Sequence, residues 1–169
     1  MQLLAFAIWF SGFKENLEGI DVMILVHDVP FDQVKNQSDE IFSWHSGVQK
    51  DFGMQFEKHV GNSNIRWFEL FDDSRNLLAV AGVTEFYYSK GDLDNMVYMN
   101  QLWAKSGFGK QMVDNLFEYF KKNRVHKDIE TFVWAAYESK VIDNYRKNYK
   151  EYLYMGNNKW GYPTFQRKF

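Results

Sequence analysis

Met96-Val97-Tyr98-Met99-Asn100-Gln101-Leu102-Trp103-Ala104-Lys105-Ser106-Gly107-Phe108-Gly109-Lys110-Gln111-Met112-Val113 is the stretch whose reading decides the fold. Met96 to Trp103 has the apolar and aromatic content of a β-strand. The chain then turns polar and glycine-bearing. From Phe108 onward, Phe108, Met112, Val113, Leu116, Phe117 and Phe120 fall on one face of a helix that ends near Lys121-Lys122-Asn123. The basic end suits the helix dipole. A strand that passes through a short glycine turn into a helix presents unpaired N–H groups and a positive dipole end, which is an anion site. Glycines allow the backbone to approach a phosphate closely, and Lys105 and Lys110 add positive charge. The combination suits a pyrophosphate. It is not a P-loop, because Gly107-Phe108-Gly109-Lys110-Gln111 lacks the required spacing and hydroxyl. Nor is it a dinucleotide fingerprint, whose third glycine is replaced here by Met112.

Working outward, Ile20 to Val29 reads as a strand stopped by Pro30. Val34, Ile41, Phe42, His45 and Val48 then recur at helical spacing, with Phe52, Phe56 and Val60 as a second helical piece. Gly61 to Asn64 is a turn. Ile65 to Asp72 is a strand, Asp73-Ser74-Arg75-Asn76 its hairpin turn, and Leu77 to Tyr88 a long β-rich run broken at Lys90-Gly91-Asp92. With Met96 to Trp103 these strands make an antiparallel meander. Beyond the helix, Glu130 to Ala136 reads as a buried strand. Val141, Ile142, Tyr145 and Tyr149 form a helical stripe. Tyr152 to Met155 and Trp160 to Phe165 make a last strand pair around Gly156-Asn157-Asn158. The order is β, α, α, three strands, α, β, α, two strands, a mixed α/β (α+β) chain.

The 169 residues fit one domain spanning 1–169, and residues 1–22 read as an added N-terminal segment ahead of the first strand. With 46% hydrophobic and 19% aromatic residues the chain is globular. It has no cysteine, which removes disulfides, thiolate metal sites and cysteine nucleophiles and is compatible with the cytoplasm. The apolar start, Met1 to Phe10, lacks a basic n-region and is too short to span a bilayer, so neither signal peptide nor membrane partner is expected. The net charge of −2 is unevenly spread. Residues 1–104 carry 7 basic and 15 acidic side chains (−8), whereas residues 105–169 carry 13 basic and 7 acidic (+6). A basic C-terminal half suits a phosphate-bearing ligand, and by charge alone a solvated lysine-rich surface is the simpler reading. No His/Asp/Glu spacing resembles a metal site, so no metal is expected. No serine sits in a nucleophile elbow. The tryptophans are expected in core packing and pocket lining, since no basic stripe interleaves with them to make a nucleic-acid platform.

The segment Ala104-Lys105-Ser106-Gly107-Phe108-Gly109-Lys110 resembles the coenzyme A pyrophosphate loop of the GNAT superfamily, usually Gln/Arg-x-x-Gly-x-Gly/Ala. Gly107 and Gly109 match its two small positions, and Ala104 stands where Gln or Arg is usual. The element order after the loop also resembles that family. Glu130 to Ala136 follows as the next strand, and Tyr145 stands on the next helix where a tyrosine near the coenzyme sulfur is common. Glu138 replaces a frequent Asn, and Tyr149-Lys150 replaces Gly-Phe. The resemblance implies a mixed, mostly antiparallel central sheet flanked by helices. It further implies an N-acyltransferase, most simply an acetyltransferase, that moves an acyl group from acyl-CoA to an amine acceptor in a ternary complex. The backbone of Met99, Gln101 and Leu102 would hold the pantetheine arm, and Ala104 to Lys110 the pyrophosphate. A non-catalytic binding module of the same fold, and a member that modifies nucleic acid or transfer RNA, are the alternatives.

Two further residues are candidates for chemistry. Tyr145 is a stripe residue that packing alone would explain, and the resemblance makes it the acid that protonates the leaving thiolate. Glu85, in Val83-Thr84-Glu85-Phe86-Tyr87, is either an exposed strand residue or a general base with a raised pKa. Asn100 could hold a water or the substrate amine, or simply face solvent.

Overall fold

The computed structural model describes residues 23–44, 65–87, 95–135, 142–158 and 161–169. The expectations for residues 1–22, for the second helical piece at Phe52 to Val60, and for Gly61 to Asn64, Lys90 to Asp92 and Glu138 lie outside them. Among the described residues there are seven strands and four helices. They are β1 (Met23–Val29), α1 (Phe31–Asn36), α2 (Ser38–Ser43), β2 (Arg66–Asp72), β3 (Leu77–Phe86), β4 (Met96–Ala104), α3 (Gly109–Asn123), β5 (Thr131–Ala135), α4 (Ile142–Asn148), β6 (Leu153–Asn157) and β7 (Pro163–Lys168). The strands form one mixed sheet in the order β1-β2-β3-β4-β5-β7-β6. β1 pairs antiparallel with β2, β4 parallel with β5, and β7 antiparallel with both β5 and β6. The lone parallel pair among these follows from the connection. The chain leaves β4, returns through α3 and re-enters as β5 in the same direction, as parallel neighbours require.

The described residues fall into two compact units. One holds those up to Gly82 together with Gln101–Met112, the other Val83–Asn100 with Val113–Phe169. In the first, Val29, Val34, Ile41, Ile65, Trp67, Leu77, Val80 and Trp103 form a continuous core. Gly82 belongs to this packing, since a Cβ there would meet Ile65 Cγ2 at 3.0 Å and the Trp67 ring at 3.2 Å. In the second, Trp134 stacks on Phe165 with ring centroids 4.5 Å apart, and Phe117 stacks on Phe169 at 5.3 Å.

Two details differ from expectation. The stripe through Val34 and Ile41 belongs to two short helices separated at Gln37, where the backbone turns to φ −95° and ψ 4°. Val34 and Ile41 are two helical turns apart and both fully buried, so the break leaves the buried face intact. At the C-terminus, Gly156 and Asn157 lie inside β6 and not in the turn. The reversal comes later, with Gly161 N–H donating to the Asn158 carbonyl at 2.9 Å.

β1 is irregular. Its pairing with β2 shifts between Val26 and Val29, a β-bulge, and Asp28 within it takes the left-handed conformation at φ 52°. The Asp28 carboxylate accepts from Arg66 Nε at 2.7 Å and from Nη2 at 3.0 Å.

Candidate functional site

β4 alternates strictly, with Val97, Met99, Gln101 and Trp103 buried and Tyr98, Asn100, Leu102 and Ala104 half-buried. Its parallel pairing with β5 covers Val97↔Phe132, Tyr98↔Val133 and Met99↔Trp134 among the described residues. β4 runs on to Ala104, whereas the described part of β5 ends at Ala135. The stretch from Asn100 to Ala104, which contains the expected pantetheine residues Gln101 and Leu102, therefore extends past the pairing that the structure describes. Gln101 is fixed from the side, its Oε1 accepting the indole N–H of Trp103 at 3.1 Å.

The strand then becomes the turn that the sequence singles out. Lys105 N–H still donates to the Leu78 carbonyl at 2.9 Å. Phe108 N–H donates back to the Lys105 carbonyl at 3.0 Å, closing a four-residue turn with Gly107 in third place at φ +90°. That position of a type II turn demands a positive φ and hence glycine. Met112 N–H donates to the Phe108 carbonyl at 3.1 Å and opens the ladder of α3. Among the described residues no hydrogen bond takes the N–H of Ser106, Gly107 or Gly109. Ser106 and Gly107 are exposed, and Phe108, Gly109 and Lys110 half-buried. This is an accessible set of donors at the positive end of a 15-residue helix, as an anion requires. The Lys105 side chain turns elsewhere. Its Nζ lies 4.0 Å from Glu40 Oε1 and 5.6 Å from the Trp44 ring centroid.

In the second unit the two carboxyl and phenol candidates have separate surroundings. The Glu85 carboxylate accepts the main-chain N–H of Val125 at 2.9 and 3.0 Å and that of His126 at 3.3 Å. Next to it, Tyr87 stacks on the His126 ring at 3.9 Å with the planes 2° apart. Its phenol is raised by the neighbouring Asp128. Glu85 and Tyr87 thus hold the turn between α3 and β5. Asn100 Nδ2 donates to Thr84 Oγ1 at 2.6 Å, so this amide ties β4 to β3. Tyr145 on α4 packs against Trp134 at 5.5 Å and Phe165 at 6.0 Å. Tyr149 and Tyr152 also surround Trp134, at 4.9 and 5.8 Å. Burial pushes both of those phenols well up. Tyr145 is the half-buried one of the three.

A residue that the sequence reading passed over stands in the first unit. Glu69 lies in the middle of β2 and is 0% exposed. Its Oε2 accepts from Gln33 Nε2 of α1 at 2.8 Å, and Gln37 also bonds to it. Burial raises its pKa above the ordinary 4.5, the Gln33 and Gln37 bonds oppose the shift, and the Glu40 carboxylate reinforces it. The signal was a single carboxylate inside the apolar run Trp67-Phe68-Glu69-Leu70-Phe71, with two glutamines four residues apart upstream. Among the described residues no group of His, Asp and Glu is arranged to hold a metal ion, and no helix is long and apolar enough to cross a membrane.

No family model and no curated protein sequence matches the chain. Solved structures do. An acetyltransferase of the GNAT family from Listeria monocytogenes 4b F2365 aligns with a TM-score of 0.59 at 12% identity, covering 93% of this chain and 100% of the other. The N-acetyltransferase PseH of Campylobacter jejuni, in complex with acetyl coenzyme A, aligns at 0.54 and 17%, covering 86% and 98%. A mutant of the spermidine N-acetyltransferase SpeG of Vibrio cholerae aligns at 0.57 and 9%, covering 86% and 93%. At such identities the likeness concerns the fold. The mixed sheet flanked by helices and the glycine turn opening α3 are what the sequence resemblance had implied, and the chain has the fold of the GNAT acetyltransferases.

Proposed function

We propose that the chain is an acyl-CoA-dependent N-acyltransferase, with acetyl-CoA the simplest donor and an amine the acceptor. The observation that carries this reading is the β4–turn–α3 junction. Its accessible donors at Ser106, Gly107 and Gly109 suit a pyrophosphate. The β4 backbone from Met99 through Gln101 and Leu102 suits the amide-rich arm that follows in the same ligand. The acetyl coenzyme A in the PseH structure and the spermidine named for SpeG support the donor and the amine class respectively. In this reading all of residues 1–169 serve one domain. The absence of cysteine fits a reducing cytoplasmic setting.

Tyr145 is the proposed acid. The acceptor nitrogen attacks the thioester carbonyl, the carbon–nitrogen bond forms and the carbon–sulfur bond breaks. The phenol proton of Tyr145 passes to the departing thiolate, and the proton lost by the amine passes to water. A phenol with a reference pKa of about 10 is protonated at neutral pH and can do this. Glu85 has its carboxylate on Val125 and His126, so we assign it to holding that turn in place of the base role expected from sequence. The same engagement, with Ala104 at the usual Gln/Arg position, favours as second reading a binding module of the same fold. Titration of the purified chain with acetyl-CoA, followed by thiol release across an amine panel, tests both. Binding with turnover supports the enzyme, binding without turnover the module, and no binding at millimolar coenzyme overturns both.

A further inference from the structure

We propose that the corner between β2 and the α1–α2 turn is a binding site for a primary alkylammonium group, with Glu69 as its anionic floor and Glu40 at its rim. Glu69 is fully buried, yet only one of its oxygens has a partner on α1 at hydrogen-bond distance, Gln33 Nε2 at 2.8 Å. Its Oε1 is buried with no hydrogen-bond partner, and so is Gln37 Oε1. Both orphans are acceptors. Glu40, whose charge Glu69 feels, adds a third acceptor group and more negative potential. An alkylammonium brings three N–H donors and one positive charge, which matches this set in number and sign. Leaving a buried carboxylate without a cation is costly, and no Lys or Arg among the described residues meets Glu69. Lys105 is occupied with Glu40 and Trp44, and Arg66 with Asp28.

Access is short. Gln33 is exposed and Gln37 half-buried, so the amides that touch Glu69 belong to side chains that themselves reach solvent. Rotation of these two side chains, one helical turn apart, would uncover the carboxylate without moving β2. Burial holds the Glu69 pKa above the ordinary carboxyl value. Arrival of an ammonium favours the ionised form, so amine binding is coupled to loss of whatever proton Glu69 carries.

The site goes beyond the acyl-transfer reading and can be tested without turnover. The full chain is titrated calorimetrically with butylamine, diaminobutane and, as an uncharged control, butanol, in two buffers of different ionisation enthalpy. Sodium chloride at matched ionic strength is the second control. Expected are binding of both amines but not of butanol, and a heat that depends on the buffer in the sense of proton release. Glu69→Gln should weaken amine binding by about tenfold or more, and Glu40→Gln by a smaller factor. Glu69→Gln keeps the shape and an amide to bond Gln33, and its acetyl-CoA titration reports whether the fold is intact. If the amine KM in an acetylation assay rises in Glu69→Gln, the bound ammonium is the acceptor's. An unchanged KM with lost calorimetric binding identifies a separate ligand. Equal amine binding by wild type and Glu69→Gln would overturn the site. So would no amine binding by wild type. Loss of acetyl-CoA binding in both proteins would count against the acyltransferase and not against this site.

Discussion

Glu85 and Val125 stand 40 residues apart in the chain, and both oxygens of the Glu85 carboxylate lie within 3.0 Å of the Val125 N–H. A carboxylate in that arrangement is a clamp on the turn that leads from α3 into β5. Glu85→Ala should lower stability by about 1 kcal/mol, the low end for a charge-assisted bond because the contact is solvent-exposed. Glu85→Gln should keep turnover within about threefold of wild type, whereas loss of a general base costs about a hundredfold or more. Thermal melts and steady-state rates on the same preparations check both statements. A large rate loss in Glu85→Gln at unchanged stability would return the base role to this residue.

Gly107 has φ +90° and open space where a Cβ would stand. Substitution there is a test of backbone conformation uncomplicated by collision. Gly107→Ala should cost about 1–2 kcal/mol and Gly107→Asn less, because Asn tolerates left-handed backbone better. Acetyl-CoA affinity should fall in the same order, since the strain relaxes by moving the Ser106, Gly107 and Gly109 donors. Affinity equal to wild type in a destabilised Gly107→Ala would separate the turn from the coenzyme.

Tyr145→Phe keeps the ring against Trp134 and Phe165 and removes one oxygen. As the proton donor, Tyr145 should account for about a hundredfold in turnover, with acetyl-CoA affinity nearly unchanged. An active Tyr145→Phe enzyme would confine this residue to packing.

Two carboxyls give opposite pH signatures. Asp28 is held below its ordinary 3.8 first of all by the Arg66 hydrogen bonds. Its stabilisation is present above that value and lost as pH falls through the lower folded one. Glu69 is raised above 4.5 by burial. Its contribution is complete below 4.5 and lost as pH rises through the folded value. Denaturant titrations across pH should therefore show Asp28→Asn converging with wild type in acid. Against wild type, Glu69→Gln should gain stability as pH rises. Parallel pH profiles for wild type and Glu69→Gln would contradict the assignment.

The strands were legible because their alternation is a local property. Met96 to Trp103 and Ile65 to Asp72 appear as strands within one residue of the expected bounds at each end. The glycine turn was legible because Gly107 answers a backbone demand that few other residues meet. The split at Gln37 was not, since Val34 and Ile41 keep their spacing whether the helix is one piece or two. Glu85 and Glu69 were not legible either. A carboxylate in a strand looks the same from sequence whether it meets water, a main-chain turn 40 residues on, or a buried glutamine. Those partners are supplied by topology, which local pattern does not carry.

The irregularity in β1 bears on how the chain finds its pairing. A regular strand can slide by two residues and keep every side chain on its proper face. β1 cannot do so cheaply, because its extra residue must meet β2 at one place only. Sliding would part Asp28 from Arg66 and move the left-handed backbone onto a residue unsuited to it. The bulge thus works as a registration mark for the first strand of the sheet. Asp28→Thr together with Arg66→Ala would erase that mark, since a β-branched residue resists the left-handed backbone and the carboxylate–guanidinium contact is gone, and slow or heterogeneous refolding is the expected trace.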